Sequence, residues 1–420
     1  MTSRERLIAT VNHRQPDRVC VDFGATGVTG IHATVVHQLQ QRFIGPAARP
    51  TRVHEPYQML AEVDDQLRAA LGIDVIGVWP RKNMFGYEAK GWKPFTLFDG
   101  TPCQVPGQFI VSPADDGGWL MYPEGDTSAP PSGHMPKDAY FFDTIVRQEP
   151  LDEARLNPED NLEEFGLLSA EDMAYYRRQA DWLDQNARDT GVILMGPGTA
   201  FGDIALVPAP FLKRPKGVRD ISEWYMTTAA RPDYVHAIFE KQAEYALKNL
   251  ETLIGLFGDR VQAIMTTGTD FGTQNGLFIS QAAYRNLFKP YHRRLNDFIH
   301  RKSNWKIFIH SCGSVVKLIP DFIEAGFDIL NPVQCSAAGM EAGELKRNFG
   351  RDLTFWGGCV NTQHTMYQSP EAVYREVRER IDLFNRDGGY VCNAVHNVQG
   401  NSPMENVLAM FQAIKDSARG

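Results

Sequence analysis

From Gly191 to the C-terminus the chain alternates short apolar runs with longer stretches of helical periodicity. The apolar runs fall at 192–195, 261–265, 307–309, 328–330, 353–355 and 390–392. Helical patterns occupy 221–256, 278–302, 315–325, 341–349, 370–386 and 403–416. Strands that alternate with amphipathic helices predict a parallel sheet. Two earlier apolar runs, 18–23 and 72–79, bring the strand count to about eight, the number that closes a (β/α)8 TIM barrel. The alternative is a doubly wound open sheet, but no GxGxxG follows any strand. Residues 1–15 read as a helical N-terminal extension ended by Pro16, and further helical patterns cover 31–43, 57–70 and 169–189. The glycine-rich turn 24–30 lacks P-loop spacing and a following lysine, so it reads as a plain loop. Residues 81–160 differ in character. They are rich in aromatic residues, Gly and Pro, with alternation around 108–111 and 118–122, which predicts a β-hairpin insertion. We read it as a rim or lid on a single domain spanning 1–420.

A barrel carries its chemistry at the C-terminal ends of its strands. There the sequence places Asp270 after the fourth strand, and His310 and Cys312 after the fifth. It places Gln334 and Cys335 after the sixth strand, Cys359 after the seventh, and His396 and Gln399 after the eighth. Side chains two apart on an extended chain point the same way, so the imidazole of His310 and the thiol of Cys312 aim together. That is half of a zinc site, and a catalytic zinc keeps one position open for water or substrate. Cys359 is the expected third ligand, because Gly357 and Gly358 let the backbone turn its thiol inward. His396 competes with it, either as a ligand or as a group that meets substrate. Cys335 either ligates or lines the pocket, whereas Cys20, Cys103 and Cys392 read as core. Asp270 is the candidate for orienting substrate or handling a proton, with a turn or helix cap as the structural alternative. Gln274, Gln334 and Gln399 are candidate polar contacts to substrate. Tyr291 either packs a helix start or reaches the mouth, and His54 is expected to cover the pocket from the N-terminal segment.

Composition narrows the partners. Hydrophobic residues make up 43% of the chain and charged ones 22%, as in ordinary soluble globular proteins. A formal charge of −8 with no dense Lys/Arg run argues against nucleic acid. There is no long apolar span and no signal-peptide pattern, so neither a membrane partner nor export is expected, and the expected location is cytoplasmic. The six cysteines form no CxxC pair, which favours free thiols or metal ligands over disulfides.

The HxCG at 310–313, the Pro-Met-Glu-Asn at 403–406, the Asp270 loop and Gln15-Pro-Asp-Arg18 together resemble the uroporphyrinogen decarboxylase superfamily. The resemblance spans most of the chain outside the insertion and implies the same barrel. In that superfamily the porphyrinogen decarboxylases use no metal and hold substrate carboxylates with an arginine-bearing N-terminal stretch; residues 19–27 here contain no arginine. The motifs are closer to the corrinoid-dependent methyltransferase branch, which binds zinc through the His and Cys of an HxC motif and a later Cys. His310 and Cys312 match the first two, and the position of the later Cys falls on His396. Either His396 takes its place or Cys359 supplies the thiolate. The resemblance therefore implies Zn2+ and a cobalamin (corrinoid) carried by a partner protein. The methyl group would pass between that corrinoid protein and a small methylated substrate or thiol. A metal-free decarboxylase of a tetrapyrrole or other polycarboxylate is the alternative.

Overall fold

In the computed structural model, which describes residues 1–418, eight strands form one parallel sheet. They are β1 (Cys20–Val21), β2 (Val75–Val78), β3 (Gly191–Met195), β4 (Ala263–Thr267), β5 (Lys306–His310), β6 (Ile329–Asn331), β7 (Thr354–Trp356) and β8 (Tyr390–Cys392). β1 pairs with β8, and each later strand pairs with its neighbour in sequence down to β2. The seam between β2 and β1 is closed by the amide of Asp74, which donates to the carbonyl of Val21 at 2.8 Å. The ring is the expected TIM-like barrel.

Two-residue periodicity divides each strand between two cores. Outward residues such as Ile307, Ile309, Leu330 and Phe355 join the large core under the surrounding helices. Inward residues Cys20, Val75, Ile193, Ala263, Phe308, Ile329, Trp356 and Val391 form a separate cluster that fills the barrel. The N-terminal helix α1 (Ser3–Val11) stoppers its bottom, adding Leu7 and Val11 to that cluster. Beneath the barrel, the fully buried carboxylate of Asp74 takes Arg6 Nη1 at 2.7 Å and Arg18 Nη2 at 2.8 Å. The Pro-Asp-Arg segment thus locks the extension to the second strand.

The inward positions two residues beyond this apolar layer are polar: Asp22 after Cys20, His310 after Phe308, Asn331 after Ile329 and Asn393 after Val391. All four are buried. A hydrophobic plug with a polar ring above it is what the alternation produces at the top of the barrel.

The insertion is the expected set of antiparallel hairpins. Lys93–Thr96 pairs with Pro102–Val105, and a second sheet joins Val111–Pro113, Trp119–Met121, Gly133–Met135 and Asp143–Thr144. It is tied to the N-terminal segment through the Phe142 amide, which donates to Tyr57 O at 2.8 Å. One expected helix is shorter than its pattern. Of residues 57–70, only Asp65–Leu71 is helical, and the stretch before it is a tight turn between Val53–Glu55 and Leu60–Ala61. The Glu55 carboxylate accepts from the amides of Tyr57 and Gln58 at 2.9 and 2.8 Å, so those donors serve a turn instead of a helix. No helix among the described residues is long and apolar enough to cross a membrane.

Candidate metal centre

The apolar run of β5 ends by delivering His310 into the polar ring, and the chain then turns sharply at Gly313, whose φ is +83°. A Cβ there would lie 2.5 Å from the carbonyl carbon of Gly272, so the loops after β4 and β5 cross with no room for side chains. Polar bonds lace them together. The Cys312 amide donates to Asp270 Oδ1 at 2.6 Å, the Phe271 amide to Ser311 Oγ at 2.9 Å, and the Ser314 amide to Thr273 O at 2.7 Å. The loop after β8 is pinned from the other side. Asn397 accepts from the Gly30 amide and donates to Gly27 O at 2.8 Å, which holds the neighbouring His396 over the mouth.

These loops bring together three donors. One ligand atom each from His310, Cys312 and His396 lies within 4.8 Å of the other two. His310 Nε2 is 3.4 Å from Cys312 Sγ, and the two imidazole rings stand nearly perpendicular with centroids 5.5 Å apart. Tetrahedral zinc with bonds of about 2.0 Å to nitrogen and about 2.3 Å to sulfur has an N···S edge of about 3.5 Å. The observed edge fits that size.

The tautomer fits as well. Asn331 Nδ2 donates to Trp356 O at 2.8 Å, an atom that only accepts. The amide is thereby oriented with Oδ1 toward His310 Nδ1, 2.5 Å away. Nδ1 therefore carries the hydrogen, and the lone pair of Nε2 faces Cys312. The chain of bonds continues inward, since the Trp356 indole donates to Asp22 Oδ2 at 2.9 Å. Burial pulls both His310 and His396 down to about 4, leaving them neutral near pH 7. Burial, reinforced by the Asp270 carboxylate, pushes the Cys312 thiol well up. A divalent cation reverses that last effect, because it is the countercharge the thiolate lacks.

Asp270 borders the cluster. Its Oδ1 lies 3.8 Å from His310 Nε2, and burial raises its carboxyl. Across from it stands Asp203, from the loop after β3, a residue not singled out by sequence. Burial raises its carboxyl to about 7, and the Asp270 charge adds to the effect. The other residues missed are Asn331 and Asp22. Their signal was present as polar positions two beyond an inward apolar residue.

One expected ligand is corrected, and the remaining candidates are placed outside the three-donor cluster. Cys359 does not join the cluster. Its thiol is fully buried in the outer core against Cys392, because Gly357 and Gly358, at φ +106° and +81°, turn the chain so that the side chain faces the helices. His396 stands in its place. Cys335 is half-buried outside the cluster, its thiol pushed up to about 11 by burial. Tyr291 is packed between helices, its hydroxyl 2.9 Å from His236 Nδ1, and it does not reach the mouth. Gln334 braces the HxC loop, accepting from the Gly313 amide at 2.9 Å and donating to Gln274 at 3.1 Å. Gln399 follows the bridge between Ile31 and Val398. His54 packs edge-on against Trp79, just past β2, with ring centroids 4.4 Å apart.

The uroporphyrinogen decarboxylase (URO-D) family matches residues 209–417, about half of the chain. Among curated proteins, the uroporphyrinogen decarboxylase of Dechloromonas aromatica (strain RCB) is 23% identical over 245 residues, 56% of this chain and 62% of that protein. The uroporphyrinogen decarboxylase of Azoarcus sp. (strain BH72) is 25% identical over 195 residues, 45% of this chain and 50% of its own length. The chain therefore spans less than two thirds of the curated relatives it matches. Among solved structures, a methyltransferase from Methanosarcina mazei superposes with a TM-score of 0.54 at 15% identity, covering 99% of both chains. At that identity the likeness shows the fold.

Proposed function

Since this chain belongs, through its C-terminal half, to the uroporphyrinogen decarboxylase superfamily, we propose that it is a zinc-dependent methyltransferase working with a separate corrinoid protein. The observation that carries this reading is the His310–Cys312–His396 cluster at the barrel mouth, a set of nitrogen and sulfur donors that suits zinc and leaves a fourth position open. Zinc held there supplies a Lewis acid for a methylated heteroatom, or keeps a substrate thiol deprotonated at neutral pH. The chain's own residues do the rest. Asn331 holds His310 in the ligating tautomer, and Asp270 fixes the Cys312 amide. The buried mouth keeps water from the transferring methyl group. Methyl transfer breaks one carbon–heteroatom bond and forms one bond to the acceptor, so no external oxidant or reductant enters the step. A fold likeness to a methyltransferase is compatible with this but does not carry it.

The names of the curated relatives motivate the competing reading, a metal-free decarboxylase of a polycarboxylate. Two features disfavour it. Residues 19–27 offer no arginine, and Arg18 just before them is committed to Asp74 beneath the barrel. A screen of O-, N- and S-methyl compounds with reduced free cobalamin, followed by visible spectroscopy, tests the proposal. We expect methylcobalamin to form with at least one donor class and to stop on chelation. Decarboxylation of a porphyrinogen that survives chelation would overturn it.

A further inference from the structure

We propose that a cavity in the insertion, separate from the donor cluster, binds a small aromatic ammonium ion. The cavity has a volume of about 200 Å3 and lies where the two antiparallel sheets of the insertion meet the N-terminal segment. Protein interiors pack as densely as organic crystals, so a void of this size is space a ligand can use. A cavity of about 150 Å3 admits benzene, whereas drug-sized ligands occupy about 300 Å3 or more. This one suits a single ring with a short arm. No residue that lines it belongs to the donor cluster or to the bonds that brace that cluster.

Its lining has an apolar side and an acidic side. On the apolar side Phe98 and Trp119 stack with ring centroids 3.8 Å apart and 14° between their planes, and the fully buried Met59 lies behind. On the other side Tyr140 stands edge-on to His32, with centroids 5.6 Å apart. His32 Nδ1 accepts from the Thr34 amide at 3.1 Å, so Nε2 carries the hydrogen and donates to Tyr140 O at 2.9 Å. Burial pulls this imidazole down to about 4, which leaves it neutral at pH 7. The charge of the lining therefore comes from Asp99 and Asp138. Asp99 is fixed by the Thr34 hydroxyl at 2.6 Å and the Thr101 amide at 2.9 Å. Burial opposes its charge, yet those bonds hold its carboxyl below the ordinary value, so it is ionised at neutral pH. Asp138 sits in a left-handed turn at φ +63°, and its carboxylate has no partner among the described residues. A cation placed here meets ring faces and carboxylates together, and an anion is repelled. The carboxylates alone would be a solvated surface; the enclosed volume beside stacked rings makes a site.

The test uses three probes built on one ring: benzylamine, neutral benzyl alcohol and anionic benzoate. Each is titrated calorimetrically into the protein at pH 7, with zinc added and again after chelation. Benzylamine should bind at least about fivefold more tightly than benzyl alcohol in both forms, with benzoate weakest. Asp99→Asn keeps an acceptor for the Thr34 hydroxyl and the Thr101 amide and should cut that preference to about twofold or less. Asp138→Asn removes a carboxylate that no other residue holds, and asparagine tolerates the same left-handed turn, so it serves even if the first variant does not fold. It should lower the preference to about half. Equal binding of amine and alcohol, tighter binding of benzoate, benzylamine binding lost with the zinc, or a preference left whole in either variant would overturn the proposal.

Discussion

Asn331 Oδ1 lies 2.5 Å from His310 Nδ1 while the other end of the same amide is spent on the carbonyl of Trp356. The second bond fixes the direction of the first, and the first decides which imidazole nitrogen is free to ligate. Asn331→Ala should therefore weaken zinc binding about 10- to 100-fold, the usual cost of losing such a partner. Competition with a chromophoric chelator reads that directly. A variant that folds and binds zinc as tightly as the unmodified protein would show that the tautomer is set elsewhere.

Metal binding should release close to one proton per zinc at pH 7. Both imidazoles are already neutral there, with values drawn down to about 4 by burial, whereas the Cys312 thiol is protonated until the metal arrives. Affinity should accordingly rise about tenfold per pH unit between pH 6 and 8. Calorimetry in two buffers of different ionisation enthalpy counts the protons. A count of two or more would mean that a further group, a histidine or one of the buried carboxyls Asp203 and Asp270, also gives up a proton as the metal binds.

Stability should fall as pH rises through about 7, in part through Asp22. This carboxyl is fully buried under Trp356 and burial raises it to about 7, so the fold favours its protonated form. A group raised in the folded state gives its full stabilisation below its unfolded value near 4 and loses it as pH passes the folded value. Asp22→Asn, which cannot ionise, should flatten the loss of thermal stability between pH 5 and 8. An unchanged slope would place the effect on Glu55 or Asp203, the other carboxyls raised to about 7 by burial.

Beneath the barrel, Asp74→Ala leaves Arg6 buried with one carboxylate partner fewer and Arg18 without its own. We expect a loss of about 3–5 kcal/mol in urea unfolding, as when one partner of a buried ion pair is removed. Zinc content of the folded fraction should not change, because this network and the donor cluster sit at opposite ends of the barrel. A loss below about 1 kcal/mol would mean that the network behaves like surface ion pairs.

The barrel was legible because its strands are buried on both faces and read as bare apolar runs, while period two placed His310 and Cys312 together. The 57–70 stretch misled because its apolar spacing suits a helix, while Glu55 diverts the local amides into a turn. Cys359 misled for a different reason. Two glycines permit either inward or outward aim, and only the folded backbone shows that Gly357 and Gly358 send the thiol outward to Cys392. Asp203 lay in a loop with no periodicity to give it a face. Its importance comes from proximity to Asp270, a relationship between strands that a single sequence does not print.

The central claim is that His310, Cys312 and His396, without Cys359, hold one zinc ion. Metal analysis of protein purified without added metal tests it most directly, comparing the unmodified chain with Cys312→Ser, His396→Ala and Cys359→Ala. The account predicts close to one zinc per chain in the unmodified protein and in Cys359→Ala, and loss of zinc in the other two. Zinc retained by Cys312→Ser, or lost from a folded Cys359→Ala, would contradict it.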